Sequence, residues 1–227
     1  MRHRRRASAI WRIKLPLTVC ETFYSIQGES TFAGWPCFFI RLSGCNLRCS
    51  YCDTTYAYTE GRILSKEDIL RQVEACGSKI VEVTGGEPLL QTETVLLLNA
   101  LTDRNYVVLL ETNGSRPLRD VPQGIVKIMD LKCPSSGMSG YMDFNNLRYL
   151  DLKDQVKFVI QDRIDYEWAK EKMAKHHIPV YTQVVLSPVW QKMEAVTLAE
   201  WMLADRLAAR MQIQLHKYLW PDRERMV

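Results

Sequence analysis

No stretch of this chain approaches the roughly 20 consecutive apolar residues that a membrane-spanning helix requires, so neither a span nor a membrane partner is expected. Charge of one sign is also scarce. Thirty Lys and Arg face 26 Asp and Glu for a net charge of +4, and the basic residues are spread along most of the sequence, which argues against a dedicated nucleic-acid protein. No interdomain linker, low-complexity tract or fixed-period repeat breaks the chain. The opening run MRHRRR holds four arginines but is followed by no apolar segment and no A-x-A cleavage site, so no secretory leader is read and a cytoplasmic location is expected. Residues 1–12 read as a solvated, flexible tail, with an RNA-binding arm or a targeting peptide as alternatives. Residues 13–227 are long enough to bury a core without disulfide staples and read as one domain.

Strand-length apolar runs recur through that domain: Cys37–Leu42, Ile80–Thr84, Val107–Glu111, Ile125–Asp130, Val156–Ile160, Val180–Leu186 and Met211–Leu215. Several are apolar on both faces, as buried parallel strands are. Helix-length patterns separate them at Thr92–Thr102, Tyr166–Lys175 and Leu198–Arg210, and Ser65-x-x-Asp68 has the form of a capping box before Ile69, Leu70 and Val73. Alternating β and α segments predict an α/β fold with a mostly parallel sheet, an open or closed (β/α) barrel. Ligands of such folds sit on the loops after the strands. Four polar or glycine-rich segments follow strands here: Cys45–Cys52, Gly85-Gly86-Glu87-Pro88, Glu111-Thr112-Asn113-Gly114 and Asp130-Leu131-Lys132.

Of seven cysteines, Cys20, Cys37, Cys76 and Cys133 are scattered and read as inert core thiols. Cys45, Cys49 and Cys52 form C-x3-C-x2-C. A structural zinc site usually closes with four protein ligands, and no second pair follows. Three thiolates on a cubane cluster leave one iron without a protein ligand, free for the amino and carboxylate groups of a methionine-like molecule. Zinc, an electron-transfer cluster and incidental cysteines remain the alternatives at this point.

Together with Thr84-Gly85-Gly86-Glu87-Pro88, the cysteine loop resembles the radical S-adenosylmethionine (SAM) superfamily. The resemblance implies a 4Fe-4S cluster on Cys45, Cys49 and Cys52, a partial, open (β/α) barrel, and SAM as cofactor. Within that superfamily Glu21-Thr22-Phe23-Tyr24-Ser25-Ile26-Gln27-Gly28-Glu29-Ser30, Cys52-Asp53-Thr54, Glu111-Thr112-Asn113-Gly114 and Leu215-His216-Lys217-Tyr218-Leu219 are similar to the 7-carboxy-7-deazaguanine synthase family. The match extends over almost the whole chain beyond the basic tail. It implies conversion of 6-carboxy-5,6,7,8-tetrahydropterin to 7-carboxy-7-deazaguanine with loss of ammonia, on the route to queuosine and other 7-deazapurines, with SAM regenerated. A glycyl-radical activating enzyme and a non-catalytic Fe–S protein are the rival readings. The first does not account for the Q-G-E segment or the late H-K-Y-L, and formation of 5′-deoxyadenosine from SAM separates the second.

Carried onto this sequence, the resemblance implies SAM contacts from Tyr51, Cys52, Asp53, Gly86, Glu87, Asp130, Leu131, Lys132, Gln183, Val184, Val185 and Leu186. Substrate contacts are implied for Ile26, Gln27, Gly28, Glu29, Arg41, Thr84 and His216, and Mg2+ at Thr54. No side chain is assigned as acid, base or nucleophile. Flavodoxin or ferredoxin as electron donor and a homodimer come with the same resemblance. The chemistry of the residues agrees: Gln27 and Glu29 suit the donor–acceptor edge of a pterin, and Arg41 suits a carboxylate. A capped turn and an ion pair are the plainer readings of Gln27 and Arg41. Two departures stand out. Ser30 replaces the family's glycine, and Asp130-Leu131-Lys132 stands where S-P-K is usual. Some members use a C-terminal carboxylate on the substrate; here the chain runs on past His216 through Trp220–Arg225, and that contact is not carried over.

Overall fold

A computed structural model describes residues 16–227; the basic run at 1–12 lies outside the described residues. Nine strands form one sheet: β1 (Leu17–Ile26), β2 (Pro36–Leu42), β3 (Arg62–Leu64), β4 (Ile80–Gly85), β5 (Val107–Thr112), β6 (Val126–Asp130), β7 (Gln155–Ile160), β8 (Gln183–Pro188) and β9 (Arg210–Met211). Their order is β3-β1-β2-β4-β5-β6-β7-β8-β9. Pairing is antiparallel from β3 through β1 to β2 and parallel from β2 onward. The sheet is therefore open and mostly parallel, the partial barrel expected of the superfamily.

The helices are α1 (Lys66–Cys76), α2 (Thr94–Thr102), α3 (Arg163–Lys175), α4 (Ile178–Tyr181), α5 (Ala195–Ala204) and α6 (Leu215–Leu219). At the start of α1 the Asp68 N–H donates to Ser65 Oγ and the Ser65 N–H to Asp68 Oδ2, closing the capping box. Among the described residues no helix is long and apolar enough to cross a membrane.

Strand periodicity sorts the sheet into two faces. Ile40, Leu42, Val81, Val83, Val108, Leu110 and Met129 face the helices and merge with Ile69, Leu97, Leu101 and Leu198 into the main core. The opposite face carries a smaller cluster of Phe23, Cys37, Phe39, Ile80, Leu109, Val126 and Ile128, with Phe23 and Phe39 stacked at 4.8 Å between ring centroids. Toward the carboxyl ends of the strands this inner face changes from apolar to polar and charged, with Arg41, Glu82, Thr84, Glu111, Asp130 and Lys157 following in sequence order.

Some boundaries differ from the sequence reading. Val180 and Tyr181 close the short helix α4, and the eighth strand runs Gln183–Pro188, further along than Val180–Leu186. The Met211–Leu215 run gives only the two-residue strand β9, and Leu215 opens α6. Strands β1 and β3 are not apparent as apolar runs. Strand β1 alternates buried and partly exposed residues, and β3 is largely exposed, so neither carries the continuous apolar run of a buried parallel strand.

Candidate active site

The charged end of the inner face opens into a cavity of about 410 Å³ lined by Cys45, Cys49, Cys52, Gln27, Glu29, Arg41, Thr54, Thr84, Asp130, Lys157 and His216, among others. The cysteine loop leaves β2 and is pressed against the turn after β4. The Gly86 N–H donates to Leu42 O at 3.2 Å and the Glu87 N–H to Gly44 O at 2.8 Å. A Cβ on Gly86 would stand 2.3 Å from Gly44 O and 2.7 Å from Cys45 Cβ, closer than packed atoms tolerate. Gly86 is thus required by the cysteine loop itself.

All three cysteines are free thiols. Burial pushes the Cys49 thiol up to about 11, with Lys132 pulling the other way, so cluster loading must displace protons. No three His, Cys, Asp or Glu side chains among the described residues are grouped tightly enough for a single metal ion. Thiolates that each take a different iron of a cubane need no such close grouping. Three thiols lining one cavity fit the cluster.

Glu87 does not face the cavity. It is fully buried, and its oxygens accept from the Leu89 N–H, the Asn113 N–H and the Thr112 hydroxyl at 2.8–3.0 Å. The side chain expected to meet SAM is turned away from the cavity, and its carboxylate ties the turn after β4 to the turn after β5. Gln183, Val184, Val185 and Leu186 are likewise displaced from the site. They form the first part of β8, and Gln183 donates to Leu152 O at the far end of the sheet. Val189 and Trp190, just after β8, line the cavity instead. Leu131 is buried, its N–H on Lys157 O, and Ile26 ends β1 outside the cavity lining. Tyr51, Cys52, Asp53, Gly86, Asp130 and Lys132 do line it.

On the substrate side, Gln27 Oε1 accepts from the Glu29 N–H at 3.0 Å while its amide donates to Glu82. Thr84 donates to Glu111 Oε2 at 3.2 Å. Arg41 Nε donates to Glu21 Oε1 at 2.8 Å, and its guanidinium lies 5.7 Å from the Phe23 ring centre. His216 sits on α6, not in a strand, and packs where Gly28 lacks a side chain; a Cβ there would meet Nδ1 at 2.0 Å. Burial lowers the His216 imidazole below its usual range despite Glu29 nearby. Ser30, at the family's glycine position, has φ +64°. The fold keeps the left-handed backbone and offsets its cost of about 1 kcal/mol or more through paired bonds with Gln212, 2.8 Å each way.

The sequence reading misses Lys157, Glu82 and the returning tail. Lys157 and Glu82 lie inside strands whose apolar neighbours make them look like interruptions of a core. Glu82 is buried, and burial pushes its carboxyl well up, with Glu111 and Glu29 adding to the shift. The amide is isosteric with the carboxyl and keeps an acceptor for Gln27, so Glu82→Gln is expected to change stability by less than about 1 kcal/mol, whereas Glu82→Ala should cost about 2 kcal/mol or more by stranding Gln27 and opening a void; thermal melts check both. Beyond α6 the chain returns to the cavity. Glu224 and Val227 line it, and Arg225 clamps Glu60 through two 2.8 Å bonds while lying 4.1 Å from the Tyr56 ring centre.

An open α/β sheet with three thiols in the loop at the carboxyl end of β2 points to the radical SAM class, and the Radical SAM superfamily model matches residues 39–136. The chain is 49% identical to a 7-carboxy-7-deazaguanine synthase from Chlorobaculum tepidum, over 91% of this chain and 96% of that one. It is 42% identical to the synthase of the same name from Koribacter versatilis, over 90% and 97%. It belongs to the 7-carboxy-7-deazaguanine synthase family. QueE from Escherichia coli shares the fold, with a TM-score of 0.75 at 22% identity over 88% of this chain and 95% of that one.

Proposed function

We propose that the protein converts 6-carboxy-5,6,7,8-tetrahydropterin to 7-carboxy-7-deazaguanine with release of ammonia. The carrying observation is one cavity lined both by the three cysteines and by Gln27, Glu29, Arg41 and His216, in a chain similar to synthases of that name over nine-tenths of its length. A 4Fe-4S cluster held by Cys45, Cys49 and Cys52 would, with SAM, supply the radical chemistry for hydrogen abstraction from the substrate. The chain's own residues bind, orient and exclude water. Gln27 and Glu29 offer acceptors to the N–H-rich pterin edge, and Arg41 offers its guanidinium to a carboxylate. Lys132, paired with Asp130 at 2.8 Å, places positive charge beside Cys49. His216 closes the wall behind Gly28.

Magnesium at Thr54, a flavodoxin or ferredoxin as electron donor, a homodimeric state and a cytoplasmic setting come with the resemblance. The site supports the first through its oxygen donors. Thr54 lines the cavity, and its hydroxyl donates to Asp53 Oδ1 at 2.9 Å; Lys217 pairs with the other oxygen. A hard cation that keeps most of its waters suits one hydroxyl ligand. Anaerobically reconstituted protein, given SAM, dithionite and the carboxypterin, is expected to form 7-carboxy-7-deazaguanine with SAM recovered. Formation of 5′-deoxyadenosine without that product would reject the substrate, and absence of both would reject the enzyme.

A further inference from the structure

We propose that Lys157 is a positioning residue for the pterin substrate, holding Glu29 and Glu111 in place across the cavity floor; this rests on the substrate reading above. Its ammonium lies 2.6 Å from Glu29 Oε2, 2.6 Å from Glu111 Oε1 and 3.3 Å from Asp130 Oδ2, and the residue is only 5% exposed. The three carboxylates come from separate parts of the chain: the turn after β1, β5 and β6. An ammonium has three donors, and a single Lys157 gathers all three partners at one point.

A buried ion pair is by itself weak evidence for stability, because desolvation offsets much of the attraction. Lys157 has a second feature that a purely structural pair lacks. The far oxygens of its partners are arranged around the cavity. Gln214 donates to Glu29 Oε1 at 2.8 Å and Thr84 to Glu111 Oε2 at 3.2 Å. Asp130 Oδ1 is buried with no hydrogen-bond partner, although Asp130 lines the cavity. Buried acceptors in native proteins are nearly always satisfied, so this oxygen calls for a donor from a bound molecule.

Charge points to the class of that molecule. Glu29, Glu111 and Asp130 outnumber Lys157 and Lys132 by one, leaving net negative charge around the floor. Such a floor accepts an amine- and amide-rich ring and repels an anion, while Arg41, on the β2 side, takes the opposite sign. A pterin with one carboxylate matches both ends. Without Lys157 the three carboxylates would repel one another, and Glu29 would no longer hold the position set by Lys157 and Gln214.

The test is calorimetric binding to reconstituted holoenzyme with SAM bound. For Lys157→Gln the carboxypterin Kd is expected to rise about tenfold or more, the loss of a charge-assisted contact, with iron content unchanged and the change in SAM affinity, transmitted through Asp130, several-fold smaller than the change in carboxypterin affinity. Glu111→Gln should weaken carboxypterin binding in the same way, and the double variant should lose less than the product of the two, because they act through one contact. Wild-type carboxypterin affinity in Lys157→Gln overturns the inference. So does a fall in SAM affinity and iron content as large as the fall in carboxypterin affinity, which marks a structural role. Wild-type holoenzyme that cleaves SAM but does not bind the carboxypterin overturns the substrate reading itself, a different result from wild-type binding that Lys157→Gln leaves intact.

Discussion

Cys49→Ala is expected to abolish SAM cleavage, with iron and sulfide after reconstitution falling to background and no 5′-deoxyadenosine above the no-enzyme control. The three thiols of the loop are the candidate ligand set for a cubane, and Cys37 and Cys133 are buried in the two cores and cannot substitute. With two thiolates left, the cluster loses the ligand next to Lys132, whose charge pulls on the Cys49 sulfur. The fold should survive. Cys49 is only half-buried, and the loop is held by backbone bonds to Gly86 and Glu87, so the cluster-free melting temperature should move by less than the equivalent of about 1 kcal/mol. Retained iron with wild-type SAM cleavage would remove Cys49 from the ligand set.

Asp154→Ala is expected to destabilise the protein by about 3–5 kcal/mol, the usual cost of breaking a buried ion pair from one side. Lys127 and Asp154 meet at 2.8 Å at the end of the sheet remote from the cavity, and both side chains are essentially fully buried. Asp154 also accepts the Lys127 N–H at 2.8 Å and the Asp151 N–H at 3.0 Å, so its removal strands an ammonium and two amides together. For a chain of this length that corresponds to a drop of about 10 °C in melting temperature. The double variant Lys127→Met/Asp154→Leu should recover a large part of the loss, because it removes the uncompensated charge. If Asp154→Ala melts like the wild type, the pair carries no stability. The cavity is distant, so SAM affinity per folded molecule should not change in either variant.

Much of the fold and part of the site are legible in the residues alone. The apolar runs from Cys37 to Ile160 mark the parallel strands because buried strands keep one composition along their length. The C-x3-C-x2-C loop and GGEP are legible because their chemistry requires fixed residues at fixed spacing. Contacts that depend on where a loop turns are not. Glu87 carries the right charge for an ammonium, but the turn after β4 rotates it onto Thr112 and Asn113. The stretch Gln183–Leu186 falls short of the cavity because an apolar run does not show where it leaves the sheet, and Val189 and Trp190, just past β8, line the cavity instead.

The sequence by itself determined the class of chemistry, the α/β order and the three candidate cluster ligands. All three are local, written in residue types a few positions apart. Tertiary structure alone decided which charges share the cavity. Lys157 meets Glu29 across 128 positions of sequence and Glu111 across 46, and the tail that runs past His216 folds back so that Val227 lines the same cavity as Cys45. Sheet register sets those meetings, since it fixes which strand ends stand side by side, and no local spacing encodes it.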